Sequence, residues 1–152
     1  MTASALPPQD GSTGDGSSAG DRPVTTELDE AECWRLLGRE GIGRLAISVA
    51  DGVDIFPLNY LSSRSRLYFR SAPGTKIVEL MQHPRVAFEA DGRTMLARWS
   101  VVVRGIVRRL GSEPEILQSG VEELATWEPG GKFNYFEIEP EQITGRFIRP
   151  RD

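Results

Sequence analysis

Soft metal ligands, disulfide partners and long apolar runs are all missing from this chain. One cysteine, Cys33, and one histidine, His83, stand among its 152 residues. A single cysteine makes no intramolecular disulfide and no thiolate cluster, and a zinc site needs three or four such ligands. Both residues lie on segments that read as helices, which also disfavours a Cys–His nucleophilic pair. No apolar stretch approaches the roughly 20 residues that span a bilayer. The formal charge of −4 gives no general attraction to nucleic acid. A Gly-x4-Gly-Lys-Ser/Thr loop is absent, which argues against nucleoside triphosphate hydrolysis. Gly41-Ile42-Gly43 is too short for a dinucleotide fingerprint and follows a helix, so it reads as a breaker. The plain expectation is a cytoplasmic protein with no nucleic-acid or membrane partner.

Large apolar residues are scarce at the start. Met1 to about Thr26 is mostly Gly, Ser, Thr, Asp and Pro, a composition that cannot bury enough surface to offset its ordering entropy. With neither a basic start nor an apolar core, it does not read as a signal peptide. The sequence therefore predicts a disordered tail over 1–26 and one folded domain over 27–152. About 125 residues make one thin core, which favours an oligomer.

Within the folded part, Asp29 caps a helix that carries Cys33, Leu36 and Leu37, with Glu32 at the capping-box position and Gly38 or Gly41 ending it. Arg44–Val49 and Val53–Leu61 read as strands joined at Asp51-Gly52, a strong hairpin signal. Leu67–Arg70 is a third strand. A helix from Thr75 stops at His83-Pro84, because the residue before proline is pushed out of helical geometry. Arg85–Ala90 and the β-branched run Trp99–Val107 follow, the latter continuous enough to suggest burial on both faces, as in a barrel wall that also meets a partner. Glu113–Ala125 reads as a surface helix. Phe133–Glu139 and Ile143–Ile148 read as short closing strands with a turn at Pro140. The whole predicts a mainly β fold, a small antiparallel barrel of about six strands with peripheral helices.

The most informative segment is Arg70-Ser71-Ala72-Pro73-Gly74-Thr75-Lys76. It sets two cations and two hydroxyls around a turn between an apolar strand and an amphipathic helix, a combination that suits a phosphate monoester. Pro73-Gly74 fits the centre of a type II turn, with glycine at positive φ. Phe56-Pro57-Leu58-Asn59-Tyr60 is unusual for a strand: Pro57 marks an edge or bulge whose neighbours keep free backbone groups, and Asn59 offers donors and acceptors to a heterocycle. Trp99-Ser100 opens the long strand with a flat surface for ring packing. Phe56, Tyr60 and Trp99, taken singly, read as core or interface filler.

In this order the segments resemble the flavin-binding split-barrel family related to pyridoxamine 5'-phosphate oxidase, most of all its short actinobacterial-type members. The pieces that carry the likeness are Gly43-Arg44-Leu45-Ala46, Phe56–Tyr60, Phe69–Lys76, Val86–Asp91, Trp99–Gly105 and Ile143-Thr144-Gly145-Arg146. The resemblance implies an FMN-binding homodimer with flavin at the subunit interface. By motif, Arg70, Ser71, Gly74, Thr75 and Lys76 would hold the FMN phosphate. Pro57, Leu58 and Asn59 would line the isoalloxazine edge. Trp99 and Ser100 would reach the flavin, often from the other subunit, and Arg146 would close the site. The chain departs from the true oxidases: it ends Arg146-Phe147-Ile148-Arg149-Pro150-Arg151-Asp152, without the Arg-x-His element that receives the substrate phosphate. That speaks against pyridoxamine phosphate as substrate. The family implies an FMN-dependent oxidoreductase acting on an unidentified small molecule. A non-catalytic flavin-binding module, a deazaflavin-dependent reductase and a haem-binding protein are the alternatives it leaves open.

Overall fold

The computed structural model describes residues 22–124 and 133–150. The elements are β1 (Val24–Leu28), α1 (Glu30–Leu37), β2 (Glu40–Val49), β3 (Gly52–Ser63), β4 (Arg66–Ser71), α2 (Thr75–Gln82), β5 (Arg85–Arg93), β6 (Arg98–Arg109), α3 (Glu113–Ser119), a single 3-10 turn (Val121–Glu123) and β7 (Asn134–Arg149). The sheet runs β1-β7-β4-β3-β2-β5-β6, and β6 pairs back onto β7. Six strands thus close an antiparallel split-barrel, with β1 laid beside the far half of β7.

Alternation along each strand sends one set of side chains inward. Leu45 and Ile47 of β2, Leu67 and Phe69 of β4, Phe88 of β5, Val101 and Val103 of β6, and Phe136 and Ile138 of β7 are all buried in one core. Phe69 stacks on Phe136, and Tyr60 meets Phe88 edge-on, each pair with ring centroids 5.1 Å apart. A second cluster of Leu61, Tyr68, Leu110, Val121 and Leu124 forms on the outer face of β3 and β4, beneath α3 and the 3-10 turn.

Several local signals act as expected. The Asp29 carboxylate accepts from the Glu32 N–H at 2.8 Å. The Glu32 carboxylate, however, pairs with Arg35 at 2.6 Å instead of reaching back to complete a capping box. Gly38, at φ 65°, ends α1. Arg64 and Ser65 both take positive φ in the two-residue turn between β3 and β4. His83 closes α2 through its N–H to the Glu79 carbonyl, 2.9 Å.

Other expectations are corrected. The strand β1 begins at Val24, inside the segment read as tail, and pairs Val24–Leu28 with Arg149–Gly145. Its side chains are mostly exposed, so backbone pairing orders it and apolar patterning does not reveal it. The two closing strands are one, β7, and Pro140 sits at a bulge opposite Gly105 instead of in a turn. A side chain at Gly105 would collide with the Glu139 carbonyl, so the bulge depends on glycine there. α3 stops at Ser119 because Gly120 takes a left-handed conformation, φ 77°; Ala125, the end of the helix expected from sequence, lies outside the described residues. In β6 only the Val101, Val103, Gly105 and Val107 face is buried, while Val102 and Ile106 are partly exposed.

Candidate functional site

β3 pairs with β4 only at Leu61–Ser63, whereas β4 pairs with β7 along Leu67–Ser71. The first part of β3 therefore keeps one edge without a strand partner among the described residues. The barrel is split there, and Pro57, expected at an edge or bulge, lies on this stretch opposite Arg44 of β2. α2 begins beside this split. The Lys76 Nζ lies 4.5 Å from the centroid of the Phe56 ring, which ties the first turn of the helix to β3.

Arg70, opposite Tyr135 in the sheet, is held from two sides. Its Nη1 donates to the Glu122 carbonyl at 3.0 Å, and its guanidinium lies 4.7 Å from the Phe133 ring centroid. Its Nε is buried and has no hydrogen-bond partner. Ser71 ends β4 and its hydroxyl donates to the Ala72 carbonyl at 3.3 Å. Thr75 and Lys76 open α2, whose N-cap, Gly74, supplies no side-chain acceptor, and no acidic residue occupies the first turn. Among the described residues, neither Arg70 nor Lys76 forms an ion pair with a carboxylate. An orphaned guanidinium N–H, an uncapped helix start and an un-neutralised ammonium thus lie within one short stretch of chain, and each is a donor type that suits a phosphate-sized anion.

The expected positive φ at Gly74 is not found. This residue is extended, φ 173° and ψ −179°, and a Cβ there would meet nothing within 4 Å. Gly74 enters the helix as an N-cap, a position that asks for extended backbone. Pro73-Gly74 is accordingly not the glycine-dependent type II corner inferred from the dipeptide.

The Pro57–Asn59 segment divides by parity. Pro57 faces outward, opposite Arg44 of β2, and Asn59 lies opposite Ile42. Leu58 is buried in the barrel core, so only its backbone is left for a ligand at the split. Arg44 itself, to which sequence reading assigned no role, donates from Nε to Glu89 at 2.6 Å and from Nη2 to Asp91 at 2.8 Å. The Glu89 hydrogen bond is the main reason its pKa is raised, with burial opposing. Arg44 thereby neutralises two carboxylates on an outer face that also exposes Val53 (71%) and Ile55 (67%).

Ser100 and Arg146 are direct neighbours across β6 and β7, and Glu27 of β1 lies on the other side of Arg146. With Val102 and Thr144 they line a groove of about 400 Å³. Trp99 is half-buried, and its indole occupies the space over Gly92, where a Cβ would come within 2.6 Å of the ring. This groove is remote from the cationic turn along the sheet. Tyr135, opposite Arg70, and Arg146 are eleven positions apart on β7, roughly 36 Å of strand path. Sequence reading missed Glu27 because β1 carries no apolar signal. It treated Phe56 as filler because the contact with Lys76 is long-range.

The family model for pyridoxamine 5'-phosphate oxidase matches residues 29–147. A structure from Corynebacterium glutamicum named after that oxidase is 35% identical and covers 83% of this chain and 99% of its own, with a TM-score of 0.74. The FAD-binding protein of Mycobacterium smegmatis is also 35% identical, covers 82% and 98%, and superposes with a TM-score of 0.69. An uncharacterised protein of Mycobacterium tuberculosis is 32% identical, with 78% of this chain and 82% of the relative covered.

Proposed function

The chain belongs to the pyridoxamine 5'-phosphate oxidase family, and on that premise we propose that it is an FMN-binding flavoprotein working as an oxidoreductase on a small molecule. The observation that carries this reading is the turn at the barrel split. There Arg70 keeps a buried N–H without an acceptor, and α2 begins without a side-chain cap. Bound flavin supplies the redox chemistry. The chain's part is to bind and orient it. Arg70, Ser71, Thr75, Lys76 and the first amides of α2 hold the phosphate. Pro57, Asn59 and the Leu58 backbone line the edge of the ring.

The distance along β7 between this turn and the Ser100–Arg146 groove supports a homodimer. In it, Trp99, Ser100 and Arg146 of one protomer close on the turn of its partner. The exposed Val53 and Ile55 on the intervening outer face support the same arrangement, since apolar patches of this kind mark association surfaces.

The visible spectrum of the purified protein, followed by titration with FMN, FAD, a deazaflavin coenzyme and haem, tests the reading. Stoichiometric FMN binding with an oxidised-flavin spectrum is the expected result. Preference for FAD, named in the Mycobacterium smegmatis relative, would keep the phosphate turn and change the cofactor. Preference for deazaflavin or haem would displace the reading. Turnover of reduced nicotinamide then separates an enzyme from a flavin carrier.

A further inference from the structure

The segment after α3 has no part in the flavin contacts proposed so far, yet its Glu122 carbonyl accepts a hydrogen bond from the Arg70 guanidinium. We propose that the 3-10 turn Val121–Glu123, together with Phe133, is a latch that positions Arg70 for the anion. This rests on the flavin-phosphate reading.

The latch is built in three steps. Gly120 adopts φ 77° and breaks the helix. The buried Ser119 hydroxyl donates to the Ile116 carbonyl at 2.7 Å and accepts from the Val121 N–H at 3.2 Å, fixing the direction in which the chain leaves. Val121 and Leu124 are then buried against Leu61 and Tyr68 on the outer face of β3 and β4. These anchors point the Glu122 carbonyl at Arg70 Nη1, and the Phe133 ring centroid lies 4.7 Å from the guanidinium carbon.

Arginine side chains carry much rotamer freedom, and its loss on binding weakens affinity unless the side chain is ordered beforehand. The carbonyl and the ring order it. They leave Nε buried with no acceptor, so the guanidinium waits with a donor that a phosphate completes. Glu122 and Phe133 are positioning residues: neither needs to touch the ligand.

The test is titration of the full-length protein with FMN and with riboflavin, which lacks the phosphate. Gly120→Val replaces a left-handed glycine and crowds the Leu61 side chain, which a Cβ already approaches to 3.5 Å. Phe133→Leu removes the ring without touching the turn, and Phe133→Tyr keeps it. The expected result is about tenfold weaker FMN binding in Gly120→Val and Phe133→Leu, with riboflavin unchanged and Phe133→Tyr like the parent. Equal losses for both ligands, or an unchanged ratio, overturn the latch. A parent that binds FMN and riboflavin equally overturns the phosphate reading instead. In that case solvent exchange of the Arg70 Nε–H, followed by NMR, decides the latch separately. Protection in the parent and at least about tenfold faster exchange in Gly120→Val support it, and no protection in the parent or no change in the variant overturns it.

Discussion

Lys76 Nζ stands 4.5 Å from the centroid of the Phe56 ring, joining the first turn of α2 to the first part of β3. A cation over an aromatic face at an exposed site contributes about 0.5–1 kcal/mol, enough to orient the ammonium and too little to hold it against a phosphate. Lys76→Ala and Arg70→Ala should therefore weaken FMN by about 10- to 150-fold, the value of a charge-assisted contact of roughly 1.5–3 kcal/mol. Fluorescence titration beside thermal melts of the apo protein checks this. Unchanged affinity in both variants would remove the phosphate assignment.

Val102 and Val103 are adjacent and answer different questions. Val103 is 0% exposed within the core, while Val102 lies on the opposite face beside the Ser100–Arg146 groove. A charge at Val103 would be buried without a partner, a cost of several kcal/mol against a total stability of about 5–15 kcal/mol. Val103→Lys should leave little folded protein. Val102→Lys should fold, sediment as a monomer at micromolar concentration and lose flavin. A wild-type monomer that still holds FMN stoichiometrically would sink the shared-site dimer.

Cys33 fills the space next to Gly145. A Cβ on Gly145 would lie 2.6 Å from the Cys33 Sγ and 3.2 Å from the Ser100 carbonyl oxygen. Gly145→Ala should destabilise by about 1–3 kcal/mol through overpacking. Cys33→Ala in the same chain should recover part of that loss, because it removes the sulfur. Chemical denaturation of the two single variants and the double measures the coupling; strict additivity would show that the contacts with Leu28 and the Ser100 carbonyl, at 3.1 and 3.2 Å, dominate.

Tyr60 gives the fold a pH limit on the alkaline side. Its hydroxyl donates to the Leu37 carbonyl at 2.7 Å, and burial pushes its pKa from 10.0 up to about 12. The folded state thus keeps the proton that the unfolded chain releases near pH 10. The stabilisation is complete below pH 10 and is lost as pH rises to about 12, falling by about 1.4 kcal/mol for each pH step of one across that window. Urea unfolding at pH 9, 10.5 and 11.5 should show the decline, and Tyr60→Phe should make it shallower while lowering stability at neutral pH; Tyr68 and Cys33, whose pKa values burial also raises, keep part of the slope. An equal slope in both proteins would place the alkaline loss elsewhere.

Local chemistry was legible in the sequence wherever a short segment decides its own geometry. The cap at Asp29, the hairpin between β2 and β3, the stop at His83-Pro84 and the alternation in β2 needed only neighbours a few residues away, whereas the β-branched run of β6 hid its alternation. The cationic turn at Arg70–Lys76 was legible for the same reason. The Pro73-Gly74 dipeptide misled because a turn signal and a helix N-cap use overlapping residue types, and the helix that follows decided between them. Pro140 misled because its place opposite Gly105 is a property of two strands paired at long range.

By itself the sequence determined a mainly β domain, the order of its elements from α1 to α3 and the residue types of the cationic turn, since side-chain period and turn chemistry are local. Only the tertiary structure decided that β6 closes onto β7, that β1 is held by backbone pairing beside Arg146, and that β3 parts from β4 where α2 begins. It also decided that Arg70 is tied to the Glu122 carbonyl while Lys76 rests on Phe56. Each of these relations joins residues far apart in the chain, and its energy comes from burial and pairing that exist only once the barrel has closed.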